Sequence, residues 1–171
     1  GGLELALACD YRIGTRRSQF RFPETNIGIY PGLGGTQRTA KICGKPIARW
    51  AILAGNWINP QNALEVGIIS ELVNHVDVDA TIYKLAEQGK PTNKYPGLPT
   101  SPESDIVKFV TELYSNNNMN SLLNGDCPEG FDVMDKAVNR QIKNLSRTAS
   151  VAMRMANYLI DASDNTTLDQ G

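Results

Sequence analysis

The chain has 171 residues, enough for one domain with a real core. With 41% hydrophobic and 20% charged residues it has the composition of a folding sequence, not of a disordered one. A net charge of −1, and no apolar run near the ~20 residues that span a bilayer, give no basis for expecting a nucleic-acid partner or a membrane span.

Residues 3–9 combine Leu, Ala and Glu and predict a short buried helix. Residues 10–14 read as a strand. Residues 18–22 alternate polar and aromatic side chains like a second strand, ended by Pro23. The stretch 25–35 is a glycine-rich loop, in which Pro31-Gly32 suits the central positions of a type II turn. Helical character resumes over 36–42 and stops at Gly44. Pro46 opens another helix to residue 53, and Asn59-Pro60 reads as an N-cap and first helical position. Gly67 closes that helix, and 68–73 predicts a strand.

The character then changes. Residues 79–87 predict a helix, and 89–102, with four prolines and two glycines, an extended linker. Apolar residues at 106, 107, 109, 110 and 113 predict a helix over 104–114. Residues 116–130 are polar and rich in breakers. Helical stretches follow at 132–145 and 147–162. The first ~75 residues are thus α/β and the remainder helical with long loops.

Three cysteines, Cys9, Cys43 and Cys127, fit neither a zinc site nor a disulfide framework. They read as reduced, mostly buried thiols of a cytoplasmic protein, and no metal site is expected. His75 sits at a strand end with no Ser or Cys elbow near it, so a triad is not expected. There is no initiator Met and no targeting segment, and residue 1 opens directly onto an apolar run. The chain reads as a piece of something longer.

Glu4 and Glu24 carry the chemistry. Each lies beside a glycine-rich turn, Gly1-Gly2 and Gly32-Leu33-Gly34-Gly35, of the kind that presents backbone N–H groups. Paired carboxylates with aligned N–H donors can add or remove water beside a carbonyl: one carboxylate deprotonates the water, the other delivers a proton, and the donors stabilise the oxyanion between those steps.

The motifs Gly-Gly-Leu-Glu-Leu-Ala-Leu-Ala-Cys-Asp, Phe-Pro-Glu and Pro-Gly-Leu-Gly-Gly-Thr-Gln-Arg occur in this order, followed by Leu-Ala-Gly-Asn-Trp-Ile and Ala-Leu-Glu-Val-Gly-Ile-Ile. Together they resemble the crotonase (enoyl-CoA hydratase/isomerase) superfamily, closely over residues 1–73 and loosely over the last helix pair. Their flavour is that of the hydratase part of fused enoyl-CoA hydratase/3-hydroxyacyl-CoA dehydrogenase proteins. No dinucleotide fingerprint of the dehydrogenase is present.

The resemblance implies an α/β fold, the C-terminal portion of a crotonase-like ββα spiral core over 1–75, followed by a helical region over 76–171 for oligomerisation and for covering the acyl site. The earlier part of the family's domain, with one oxyanion donor, is absent from the sequence. Glu4 and Glu24 take the catalytic positions, Glu4 activating water and Glu24 protonating Cα. The N–H of Gly1 lies in the oxyanion hole, and that of Gly32 orients the reacting groups. The implied reaction is hydration of trans-2-enoyl-CoA to 3-hydroxyacyl-CoA in fatty-acid β-oxidation. The CoA thioester is the substrate, no further cofactor is expected, and the intact parent is a homotrimer or hexamer. Having both glutamates favours a hydratase over a pure isomerase. A crotonase-type isomerase, a dienoyl-CoA hydratase and a catalytically silent folding or oligomerisation fragment are the alternatives. Arg38, Arg49 and the Arg140/Lys143/Arg147 group are either partners for CoA phosphates or solvated helix faces. Trp50 and Trp57 belong to the core or an interface.

Overall fold

The computed structural model describes residues 1–89 and 99–164. The chain opens with α1 (Gly2–Leu7), continues through β1 (Ile13–Thr15), and then enters a 3-10 turn at Glu24–Ile27. Three helices follow, α2 (Gly35–Cys43), α3 (Lys45–Leu53) and α4 (Pro60–Glu65), before β2 (Glu71–Val73). The second half holds α5 (Val78–Gln88), α6 (Asp105–Leu113), α7 (Met119–Asn124), α8 (Lys136–Ser146) and α9 (Ser150–Ala162). No helix among the described residues is long and apolar enough to cross a membrane.

The strands β1 and β2 pair in parallel, with Ile13 opposite Glu71 and Thr15 opposite Val73. A parallel pair needs a long crossover, and α2, α3 and α4 supply it. Gly14 lets the strand lie against the core: a Cβ there would meet Ile69 Cδ1 at 2.6 Å. Arg12 ties the neighbouring chain ends together. Its guanidinium donates to the carbonyls of Ile68 (2.7 Å) and Cys9 (3.0 Å), and burial lowers its pKa.

The core is one cluster running from Leu7 to Ile160, and α3 is its centre. Every residue of α3 from Ile47 to Leu53 is buried. A helix buried on all sides needs apolar residues all round, and this one has a single exception, Arg49. Helices α2, α6 and α9 pack around it. Each of the helices α4, α6 and α8 begins on a side-chain cap: Asn59 accepts from the Asn62 N–H, Ser104 from Val107, and Asp135 from Ala137 and Val138.

Several expectations need correction. Residues 18–22 form no strand. Phe20 makes only an isolated antiparallel bridge with Ile58, because the partner segment between α3 and α4 offers a single residue to pair with. The helix expected over 3–9 is shorter, and it is buried on one face only: Leu7 is inside, while Leu5 is 72% exposed. Pro31-Gly32 is not a type II turn, since Gly32 keeps a negative φ; the left-handed residues of this loop are Gly28 and Gly34. The breaker-rich segment contains α7, ended by Gly125 at φ 83°. Only Cys43 is a buried thiol; Cys9 is exposed and Cys127 half-buried. Burial pushes the Cys43 thiol up to about 12. Most of the linker expected over 89–102 lies outside the described residues.

Arg49 is neither a solvated helix face nor free to meet a phosphate. It is 2% exposed, and its guanidinium donates to Asn157 Oδ1 (3.1 Å), the Tyr114 carbonyl (2.9 Å), Asn116 Oδ1 (2.7 Å) and Asp161 Oδ1 (2.5 Å). It joins α3 to the end of α6 and to α9. Replacing Arg49 by Met should lower stability by about 2 to 3 kcal/mol, because the buried Tyr114 carbonyl loses its donor. Arg49→Lys should recover less than half of that, since an ammonium cannot span the fork. Thermal unfolding of the two variants beside the parent measures both; a Met variant as stable as the parent would remove Arg49 from this role.

Candidate active site

Glu4 lies in the first turn of α1 and is only 3% exposed. A carboxylate buried among apolar neighbours needs donors, and the start of α2 provides them. Glu4 Oε1 accepts the N–H of Leu33 at 2.8 Å and that of Gly35 at 3.0 Å. These amides lie at a helix N-terminus, where N–H groups lack an intrahelical partner and the dipole favours negative charge. The approach requires glycine: a Cβ on Gly35 would meet Glu4 Oε1 at 2.8 Å and Pro31 Cβ at 2.7 Å. Arg38 closes the same turn from the other side, donating to the Leu33 carbonyl. With Oε1 held in this way, Oε2 is left to face Gly1, whose nitrogen is 3.2 Å away.

Glu24 opens the 3-10 turn that Gly28 ends at φ 87°. The turn is fixed from two sides through Thr25, which is fully buried. Its hydroxyl donates to the Ile52 carbonyl at the end of α3 (2.9 Å), and its own carbonyl accepts the Ala149 N–H just before α9 (3.2 Å). Glu24 Oε1 comes to 3.7 Å from the same Gly1 nitrogen. Glu24 Oε2 is buried and has no hydrogen-bond partner among the described residues. Burying a carboxylate oxygen without a partner is uncommon and costs free energy.

The structure therefore brings Glu4, Glu24 and Gly1 to one point. Gly1 is exposed, and a Cβ there would meet nothing within 4 Å. Gly32 lies at the exposed tip of the turn, and a Cβ there would also meet nothing within 4 Å. The donors that reach Glu4 come from Leu33 and Gly35, which the sequence reading did not single out. Their signal was present: a Gly-Gly pair that opens a helix supplies unpaired N–H groups and tolerates close approach. Thr25 was missed as well, and no pattern in the sequence marks it. Trp50 is in the core, whereas Trp57 is 64% exposed with Arg21 stacked 5.2 Å from its ring centre. Leu5, Ile27, Ile29, Tyr30 and Leu33, sequence neighbours of the site residues, are exposed and apolar. No group of three or more His, Cys, Asp and Glu residues among the described ones could hold a metal ion.

Comparison with known proteins gives concordant results. A family model described as enoyl-CoA hydratase/isomerase matches residues 1–95. The enoyl-CoA isomerase/hydratase fer4 of Mycosarcoma maydis is 44% identical over 89 residues, which are 52% of this chain and 31% of that protein. The fatty acid oxidation complex subunit alpha of Aliivibrio fischeri is 38% identical over 116 residues, 64% of this chain and 17% of that one. The chain thus spans about a third or less of these curated relatives. Among solved structures, an enoyl-CoA hydratase from Rhodobacter sphaeroides superposes with a TM-score of 0.68 at 21% identity, covering 99% of this chain and 48% of that chain. At that identity the likeness establishes the fold, a partial crotonase-like α/β domain.

Two glycines of one loop should respond oppositely to the same change. Gly35→Ala must push Glu4 away from its donors and should cost about 1 to 3 kcal/mol as an overpacked site. Gly32→Ala, in open space without a positive φ, should stay within about 0.5 kcal/mol of the parent. Urea unfolding of both variants gives the comparison; equal effects would mean that Gly35 does not set the position of Glu4.

Proposed function

Because this chain belongs to the enoyl-CoA hydratase/isomerase family, we propose that it carries the two catalytic carboxylates for reversible hydration of a trans-2-enoyl-CoA to a 3-hydroxyacyl-CoA. The observation that carries the reading is the convergence of Glu4 Oε2 and Glu24 Oε1 on the Gly1 nitrogen, with Glu24 Oε2 buried and unpartnered beside them.

In the proposed reaction a backbone N–H at Gly1 draws electron density toward the thioester oxygen, and Cβ becomes electrophilic. Glu4 is tethered through Oε1, so its other oxygen can hold a water and take its proton as the oxygen attacks Cβ. Glu24 delivers the proton to Cα, and the orphaned Oε2 is the atom best suited to that contact. Gly32 contributes its N–H to orienting the reacting groups. The reaction as proposed uses no cofactor beyond the thioester itself. Three unpaired cysteines suit a reducing compartment such as the cytoplasm.

We assign residues 1–75 to the catalytic part and residues 76–171 to subunit contacts and to covering the acyl site. In support, α9 exposes an apolar stripe, Val151 (78%), Met155 (44%) and Tyr158 (66%), spaced four and three residues apart on one face. Introducing Asp at Val151 together with Glu at Tyr158 should reduce the sedimentation coefficient of the assembled protein; an unchanged value would dismiss α9 as a subunit contact.

The fall in enoyl absorbance with crotonyl-CoA measures the reaction in the full-length protein. Glu4→Gln and Glu24→Gln should each lower kcat by about 100-fold or more. Undiminished hydration in either variant would overturn the assignment. Moving a double bond consumes no water, and Glu4 is the residue assigned to activating water, so Glu4→Gln should spare double-bond isomerisation far more than hydration. Equal loss of both activities would remove the case for a hydratase over an isomerase.

A further inference from the structure

Arg38 stands in the first half of α2, and the hydration step gives it no task. A helix arginine ordinarily carries its charged head out into water. This one folds back onto the turn that precedes its own helix. Its backbone N–H donates to the Gly34 carbonyl at 2.9 Å, and its guanidinium Nη1 donates to the Leu33 carbonyl. The residue is half-buried there. Gly34 makes room for it: a Cβ at that position would run into Nη1 and would meet Cζ at 3.1 Å.

The turn that Arg38 holds is the turn that grips Glu4. Glu4 Oε1 accepts the N–H of Leu33 at 2.8 Å and that of Gly35 at 3.0 Å. Between these two amides lies one peptide unit, the Leu33 carbonyl joined to the Gly34 nitrogen. Leu33 keeps a negative φ, whereas Gly34 is left-handed at φ 81°. A change of hand between successive residues turns their N–H groups toward one point and makes a concave anion site. The two donors converge on one oxygen only while the peptide between them keeps its orientation. The neighbouring carbonyls are held by α2 itself: that of Gly34 starts the helix ladder, and that of Gly35 accepts the Thr39 hydroxyl at 2.6 Å. The Leu33 carbonyl lies one residue ahead of the ladder, and the Arg38 guanidinium takes it.

We propose that Arg38 is a positioning residue for Glu4. By fixing the Leu33–Gly34 peptide it keeps the Leu33 and Gly35 amides aimed at Oε1, and so keeps Oε2 turned toward the reacting groups. Arg38 itself touches no substrate. This role is neither of the two that the sequence leaves open to Arg38, a phosphate partner or a solvated helix face. Its effect on catalysis rests on the proposed hydration; its effect on the shape of the turn does not.

Two measurements on the full-length protein test this, hydrogen exchange at residues 33–35 and the kinetics of crotonyl-CoA hydration. In Arg38→Met the Leu33 and Gly35 amides should exchange at least about fivefold faster, with α3 exchanging as in the parent. The kcat for hydration should fall about tenfold, because the group that activates water is displaced. KM should stay within about twofold, because substrate contacts are kept. Arg38→Lys retains one donor for one carbonyl and should bring exchange and kcat back to within about threefold of the parent. Unchanged exchange at 33–35, or α3 loosened to the same degree, would overturn the proposal. So would a raised KM at undiminished kcat, the mark of a lost phosphate contact, or a Lys variant no better than the Met variant. Glu4→Gln separates the two readings. Undiminished hydration in that variant removes the hydratase assignment, and exchange at 33–35 still decides the role of Arg38.

Discussion

The buried guanidinium of Arg49 is the interaction on which the rest of the molecule depends. Helix α3 is enclosed on every side, and one charge inside it is tolerable only if every donor is used. The acceptors come from the end of α6, from the turn after it and from α9, so satisfying one side chain orders three separate segments around one helix. The Tyr114 backbone serves Arg49 while its hydroxyl donates to Gln141 of α8 at 3.0 Å. Asn56 donates to the same Gln141 oxygen and accepts from Asn144, which brings α8 into the same arrangement. Helices that contribute no reacting group are in this way fixed to those that carry the site.

The site repeats the pattern on a smaller scale. Glu4 is buried and needs donors, and the start of α2 has N–H groups that need an acceptor. Each removes the other's deficit, and the arrangement leaves one carboxylate oxygen uncommitted. Glu24 differs: its backbone is pinned while its Oε2 is left without a partner. One carboxylate is thus immobilised by its own hydrogen bonds, and the other by the turn that bears it.

Local signals in the sequence were sufficient for most helices. Pro46, the Asn59-Pro60 cap, and the glycines at 44 and 67 mark boundaries through steric and capping effects that act within a few residues. The two glutamates could also be read, because each stands beside a glycine-rich turn of the kind that presents backbone N–H groups. What could not be read depends on contacts distant in the chain. Arg49 looks like any helix arginine until α6 and α9 are in place. Residues 18–22 have strand composition, but no partner of matching length comes beside them. Helix α7 is hidden by Asn-rich neighbours; its buried Met119 and Leu122 are what hold it. Gly32 and Gly34 are two positions apart, and only the path of the chain decides which of them takes the left-handed conformation.

The placement of Thr25 between Ile52 and Ala149 means that the two carboxylates stand on different mounts. Glu4 travels with α2, to which it is bonded directly, whereas Glu24 travels with the α3–α9 pair. Their separation is therefore a gauge of how those helices sit against each other, not a property of either loop. Pressure applied to the outward apolar stripe of α9 would arrive at Glu24 as a change in that gap, and contact at a distant surface and the spacing of the two carboxylates would form a single mechanical linkage.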